Sequence, residues 1–254
     1  MSVDTYKDGH VAVVTFARPP HNYADLSLIE AIGTAFDACD ADRDVRAILL
    51  RSEGRVFCAG ADLQNANPVA EGVTAERNPF YVAAARLFGV GKPLVAAVQG
   101  SAVGAGLGLS LVADFRVAAP EARFVANFVQ LGFHPGFGIS AVLERVVGRQ
   151  RALQMLLTGR RVKGEEAYDW GLADRLASAD GLDAAALALA QEIAAGAPLA
   201  VQSTRATLRG DLAELVARAT DHELAEQAWL QKTADFAEGV KAVAERRPGR
   251  FAGE

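Results

Sequence analysis

Cysteine is scarce in this sequence, with two in 254 residues. Cys39 and Cys58 share no CxxC spacing. That excludes a disulfide framework and a zinc site, and it points to a reducing, cytoplasmic compartment. Positive charge is in short supply too: 26 Lys and Arg against 31 Asp and Glu leave a net charge of −5. No field is available to attract a nucleic-acid backbone or an anionic membrane, so neither is expected as a partner. Repeats and low-complexity tracts are absent, and MSVDTYKDGH has no basic n-region followed by an apolar core, so no signal peptide is expected. What is abundant is small: 51 Ala and 24 Gly within a chain that is 51% hydrophobic. Such a chain is not disordered, and its length suits one large domain with an appendage.

One uncharged run of 21 residues, Pro93–Ala113, is long enough to span a bilayer. It carries Pro93, Gln99, Ser101, Ser110 and four glycines, and its flanks Lys92 and Asp114 show no basic cluster. A strand, a Gly-rich turn and a buried helix account for it better than a membrane span.

The remaining pattern reads as alternating strands and helices. Residues 3–7 and 10–17 form a hairpin around Lys7-Asp8-Gly9, and Asp25 caps a helix running to residue 41. Residues 44–51 and 94–98 are buried strands, 79–90 and 102–112 helices, and 115–118 and 124–126 short strands. Residues 65–78 are a polar loop, suited equally to specificity or to surface padding. Helices at 139–147 and 150–157 turn Val142, Leu143 and Val146, then Leu153, Leu156 and Leu157, inward. After Leu176 the chain is helical to about residue 246, with Pro198 marking a boundary between an α/β core, 1–197, and a helical segment, 198–254. A stripe of Leu212, Leu215, Val216 and Ala219 needs a surface to cover, either the core or another subunit.

The Gly100-Ser-Ala-Val-Gly104-Ala-Gly106 run matches a GxxxGxG dinucleotide spacing. It follows two earlier strand–helix units instead of opening the first, however, and no Tyr is followed four residues later by Lys, so the dinucleotide reading is set aside. Neither Ser110 nor Ser140 lies in GxSxG, which disfavours a serine hydrolase.

Two segments taken together carry more. Phe57-Cys58-Ala59-Gly60-Ala61-Asp62-Leu63 and Ala97-Val98-Gln99-Gly100-Ser101-Ala102-Val103-Gly104-Ala105-Gly106-Leu107 resemble the paired signature of the enoyl-CoA hydratase/isomerase, or crotonase, superfamily. The likeness extends over nearly the whole chain. It includes the Arg18-Pro19…Asn22 loop, Asp114-Phe-Arg-Val-Ala, Leu131-Gly132, Thr158-Gly159-Arg160, Glu165-Glu166-Ala167 with Trp170-Gly171-Leu172, Asp235-Phe-Ala-Glu-Gly239 and Glu245-Arg-Arg-Pro. The resemblance implies an α/β spiral of ββα units with a C-terminal helical oligomerisation domain. It also implies a homotrimer or homohexamer, and an acyl-CoA substrate with no cofactor beyond that coenzyme A and no metal.

The chemistry behind the signature is a thioester enolate. Negative charge develops on the thioester oxygen, and preorganised backbone N–H groups stabilise it. The resemblance places those donors at Ala61 and Ala105, the second near a helix start where unpaired N–H groups and the dipole add to the effect. It assigns substrate contacts to Ala24, Ala59, Asp62, Leu63, Gly104, Phe128, Phe133, Phe236, Arg246 and Arg247, with the adenine near Ala59.

The departures matter as much. Hydratases of this family position water with two glutamates, and the matching positions here are Gly108 and Phe128. General acid–base groups contribute roughly 10²–10⁴-fold, so the two-glutamate route is not expected. Gly108 in mid-helix costs about 1 kcal/mol relative to Ala, which suggests that something packs close to it. The Gly-rich run is also similar to that of 4-chlorobenzoyl-CoA dehalogenase, but the nucleophilic Asp of that enzyme would fall near Gly136. His134, in Leu131-Gly-Phe-His-Pro-Gly-Phe-Gly138, is the candidate acid–base residue, set against a plain hydrogen-bonded loop histidine. His10, His21 and His222 read as surface or packing residues, Cys58 as a small buried hydrophobe and Asp62 as a helix cap. Three functions stay open: an acyl-CoA lyase or isomerase, a thioester hydrolase or decarboxylase, and a non-catalytic acyl-CoA-binding subunit.

Overall fold

A computed structural model describes residues 1–62 and 78–254. Leu63 and most of the polar loop lie outside the described residues. The chain opens with a hairpin, β1 (Ser2–Asp8) and β2 (Val11–Ala17), followed by α1 (Leu26–Ala41) and β3 (Ala47–Ser52). Next come α2 (Pro79–Leu87), β4 (Leu94–Val98), β5 (Ser101–Val103), α3 (Ala105–Val112), β6 (Phe115–Ala118) and β7 (Arg123–Val125). A 3-10 turn at Asn127–Leu131 leads to α4 (Ile139–Val147), α5 (Arg149–Thr158), β8 (Arg161–Lys163), α6 (Gly164–Asp169) and β9 (Arg175–Leu176). Helices α7 (Leu182–Ala194), α8 (Pro198–Arg209), α9 (Leu212–Leu230) and α10 (Ala234–Ala244) complete the chain.

Six strands form a sheet in the order β1-β2-β3-β4-β6-β9, parallel except for the β1–β2 hairpin, and β5-β7-β8 form a smaller second sheet. The central strands read as continuous hydrophobic runs because both of their faces are covered. Along β2, β3 and β4, Val11, Val13, Ala47, Leu49, Val95 and Ala97 pack on α7 through Leu182, Ala186 and Leu189. The alternate residues Ala12, Val14, Ile48, Leu50, Ala96 and Val98 face the larger core with α1, α2 and α3. Leu212 and Val216 of α9 belong to that same core, so the stripe on this helix covers its own chain. Asp25 caps α1 by accepting from the Leu28 N–H at 2.8 Å.

Asp114 ties α8 to the sheet. Its carboxylate accepts from Arg205 Nε and Arg209 Nη1, each at 2.7 Å, and from the Leu94 N–H at 2.8 Å. Beside it, the buried Arg116 donates to the carbonyls of Leu172 and Ala113.

Two expectations are corrected. The helix expected at 102–112 begins only at Ala105, because Ser101–Val103 pairs in parallel with Arg123–Val125 and Gly104, at φ +51°, turns the chain. On α5 the inward face is Ala152 and Met155, while Leu153 and Leu157 are 38% and 68% exposed. Leu156 of the same stripe is half-buried and packs against the core as expected, so the helix is seated with only part of the leucine stripe inward. The uncharged run from Pro93 resolves into β4, β5 and α3, and among the described residues no single helix is long and apolar enough to cross a membrane.

Candidate active site

A pocket of ≈ 400 Å³ opens where the 59–62 loop, the start of α3, the 3-10 turn, the 133–137 loop and α10 converge. Backbone hydrogen bonding brings the two signature segments together: Cys58 N donates to Ser101 O, and Val103 N donates to Cys58 O, both at 3.0 Å. Gly60 makes the turn at φ +91°, and a β-carbon there would fall 2.7 Å from Val103 O. Its backbone freedom and lack of a side chain let the loop lie against the start of α3.

Ala61 and Ala105 both line the pocket. Among the described residues neither N–H donates to a backbone carbonyl. Ala105 is the first helical residue of α3, where an N–H has no partner within the helix and the positive end of the dipole faces out. The arrangement can therefore hold an oxyanion.

The Arg18–Asn22 loop supports this edge. Asn22, buried and at φ +52°, donates to the carbonyls of Glu53 and Val56, both at 2.8 Å, and accepts from Arg18 N at 2.7 Å. Ala59 N then donates to His21 O at 3.0 Å, and Ala24 N to Gly60 O at 2.8 Å. Ala24 is fully buried behind the wall, and Tyr23 takes the wall position instead.

On the opposite side the wall is aromatic. Phe128 lies over Gly104, its ring edge 3.7 Å from where a β-carbon would be, and Phe133 and Phe137 complete the surface with Leu131. Gly108 carries no side chain because Phe137 is there: a β-carbon on Gly108 would lie 2.5 Å from Phe137 Cδ1 and 2.8 Å from its Cγ. The close neighbour suggested by a mid-helix glycine is this ring.

Of the sequence-derived candidates, the structure brings Ala59, Ala61, Asp62, Gly104, Ala105, Phe128 and Phe133 to one pocket. It does not bring His134 there. The His134 imidazole places Nδ1 2.9 Å from Pro135 O and packs edge-on to the His222 ring at 5.8 Å. Phe236 packs against Phe133 at a 40° tilt with centroids 5.0 Å apart, and does not itself line the pocket. Arg247 is held by Glu238 in two hydrogen bonds and by Glu245 in a third, and neither it nor the exposed Arg246 lines the pocket. Leu63, together with whatever Asp62 would cap, falls outside the described residues.

Sequence reasoning missed Tyr23, Asn127, Phe137 and, from α10, Val240, Val243 and Ala244. For Phe137 the signal was available in Gly108. For α10 the resemblance pointed only to Phe236 and Gly239, and which of its residues reach the wall depends on Gly239 lying against the Leu131 backbone. Tyr23 and Asp62 are the titratable side chains on the described wall. Cys58 lies just behind it, and burial pushes its thiol up to about 12, which removes it as a nucleophile at neutral pH. Among the described residues no group of three or more His, Cys, Asp or Glu side chains is placed to hold a metal ion.

The profile of the family described as enoyl-CoA hydratase/isomerase matches residues 6–254. A Thermus thermophilus protein assigned by name to enoyl-CoA hydratase is 38% identical over 256 residues, covering 96% of this chain and 98% of its own. A 4-chlorobenzoyl coenzyme A dehalogenase from an Arthrobacter species is 32% identical, covering 86% of this chain and 81% of its own. Among solved structures, an enoyl-CoA hydratase/isomerase from Pseudoalteromonas atlantica superposes with a TM-score of 0.87 at 29% identity, over 99% of this chain and 100% of that one.

Proposed function

Because the chain belongs to the enoyl-CoA hydratase/isomerase family, we propose that it is an acyl-CoA lyase or isomerase that holds a thioester enolate on the N–H groups of Ala61 and Ala105. The observation that carries this reading is the pair of N–H groups on one pocket wall, neither of them used by a backbone carbonyl among the described residues. One such donor is worth about 3 kcal/mol of transition-state stabilisation. The reaction proceeds without two-glutamate hydration, since Gly108 and Phe128 stand at those positions and Phe137 fills the space above Gly108. Proton transfer falls to a wall residue, Tyr23 or Asp62, and not to His134. Coenzyme A is bound as part of the substrate, and no other cofactor is called for.

The aromatic wall favours a second reading, decarboxylation or thioester hydrolysis, because both need fewer acid–base groups. Decarboxylation breaks the bond to the carboxylate, leaves the electron pair in the enolate and releases CO₂, after which a proton from solvent completes the α-carbon. Hydrolysis adds water to the thioester carbon and expels the coenzyme A thiolate. The exposed Leu153 and Leu157 suit burial against a second copy, in keeping with a homotrimer or homohexamer. The two free, buried cysteines suit the cytoplasm.

A panel of enoyl-, malonyl- and aryl-CoA thioesters followed by mass spectrometry tests these readings. An isomerised or added product at rates below those of a two-glutamate hydratase supports the first, and free coenzyme A or CO₂ selects the second. Tight acyl-CoA binding with no turnover of any thioester overturns both in favour of a binding subunit. Crotonyl-CoA hydration as fast as that of a two-glutamate enzyme overturns the reading of Gly108 and Phe128.

A further inference from the structure

The 133–138 loop is held in an unusual state. Phe137 has φ +64°, a left-handed backbone that side-chain-bearing residues rarely adopt, and Gly138 follows at φ +75°. Such a conformation persists only where its surroundings impose it. Here two helices impose it. Glu223 of α9, fully buried, accepts from Gly138 N at 2.7 Å through one carboxylate oxygen, and from Ser140 N at 3.0 Å and Ser140 Oγ at 2.6 Å through the other. Gln227, one turn further along α9, donates to His134 O at 2.8 Å and accepts from the Tyr81 hydroxyl of α2 at 2.5 Å. The loop is thus gripped on both sides of Phe137 by side chains that do not touch the pocket.

The grip has one consequence inside the pocket. The Phe137 ring is pressed onto Gly108, three residues along α3 from the Ala105 N–H. Three helical residues advance about 4.5 Å, so an acyl group whose oxygen rests on Ala105 meets the ring soon after the thioester carbon. Around that point Phe128, Phe133 and Leu131 supply only apolar surface.

We propose that Phe137 is the specificity-determining side chain of this pocket, limiting it to short apolar acyl groups, and that Glu223 is the positioning residue that holds Phe137 in place. The inference rests on the pocket being an acyl-CoA site. Phe137→Gly suits the left-handed backbone and removes the ring, so it lengthens the accepted chain without disturbing the coenzyme A end. Glu223 acts only through that backbone, so its replacement matters only while Phe137 is present.

The test is calorimetric binding of coenzyme A and its S-ethyl, S-butyl and S-octyl thioethers, which cannot turn over. The wild-type protein is expected to prefer ethyl or butyl to octyl. Phe137→Gly is expected to tighten octyl binding roughly tenfold or more while leaving coenzyme A unchanged. Phe137→Ala carries the same expectation should the glycine variant fail to fold. Glu223→Gln is expected to flatten the wild-type chain-length preference and to change nothing further in the Phe137→Gly background, a cancellation that general destabilisation would not produce. Coenzyme A binding with an unaltered chain-length profile in both Phe137 variants overturns this inference alone. Failure of the wild-type protein to bind coenzyme A or any thioether overturns it together with the acyl-CoA reading.

Discussion

Gly106 lies directly on the backbone of Cys58. A β-carbon at Gly106 would fall 2.8 Å from the Cys58 carbonyl carbon and closer still to its oxygen. This contact joins the helix carrying one candidate oxyanion donor to the loop carrying the other. Backbone cannot swing aside as a flexible side chain would. Gly106→Ala is therefore expected to cost about 1–3 kcal/mol by overpacking, lowering Tm by roughly 2–12 °C, and to abolish acyl-CoA binding. Thermal melting with and without ligand measures both effects.

Ala105→Pro deletes one candidate donor with little cost to the helix. Proline is well accepted at the first helical position, where the missing N–H has no intrahelical partner, and the glycine before it tolerates the restriction proline imposes. The expected result is a Tm within a few degrees of wild type and turnover lowered roughly 10²–10³-fold. Unchanged turnover on the true substrate would remove Ala105 from the mechanism.

A carboxylate installed at position 108 is not accommodated by itself. Gly108→Glu drives its side chain into the Phe137 ring, so the single variant is expected to lose about 1–3 kcal/mol. Adding Phe137→Gly vacates the space and is expected to recover part of that loss, with a coupling of about 0.5–3 kcal/mol. Chemical denaturation of the four variants in the cycle gives the number, and additive effects would contradict the contact.

Neither thiol should react in the native protein. Burial raises Cys39 to about 11 and Cys58 to about 12. A raised thiol pKa keeps the group protonated as pH rises, so at pH 8 about one molecule in a thousand or fewer carries a thiolate at either site. A disulfide reagent at pH 8 is expected to count no thiols in the folded chain and two after denaturation. Fast labelling of Cys58 under native conditions would mean that the signature loop opens.

Much of this was legible in the residues themselves. The β1–β2 hairpin, the Asp25 cap and the doubly buried strands depend on local chemistry and periodicity, whereas the pairing of residues 57–63 with 97–107 came from the family resemblance. They were read correctly except where Leu63 lies beyond description. The start of α3 was missed because Ser101–Val103 is a strand only by pairing with Arg123–Val125, a partner that local propensity does not reveal. Leu153 and Leu157 were turned the wrong way because periodicity fixes a stripe and not the side it faces. For His134 the sequence left an acid–base role and a plain loop histidine both open, and its ring contacts with Pro135 and His222 exist only in the folded chain.

The small residues by themselves determined only that the backbone can be approached closely: glycine and alanine at 59–61 and 104–106 carry no bulk, and it was the family resemblance that assigned candidate oxyanion donors to Ala61 and Ala105. Which side chains face that site was decided only in three dimensions. Glu223 lies 86 positions beyond Phe137 in the chain and never reaches the pocket, yet its carboxylate holds the Gly138 and Ser140 amides that keep Phe137 against Gly108. A buried carboxylate goes wherever donors satisfy it, and those donors exist only once α9 has packed on the loop. The sequence displayed a glycine in the middle of α3, and the tertiary structure set an aromatic ring against it.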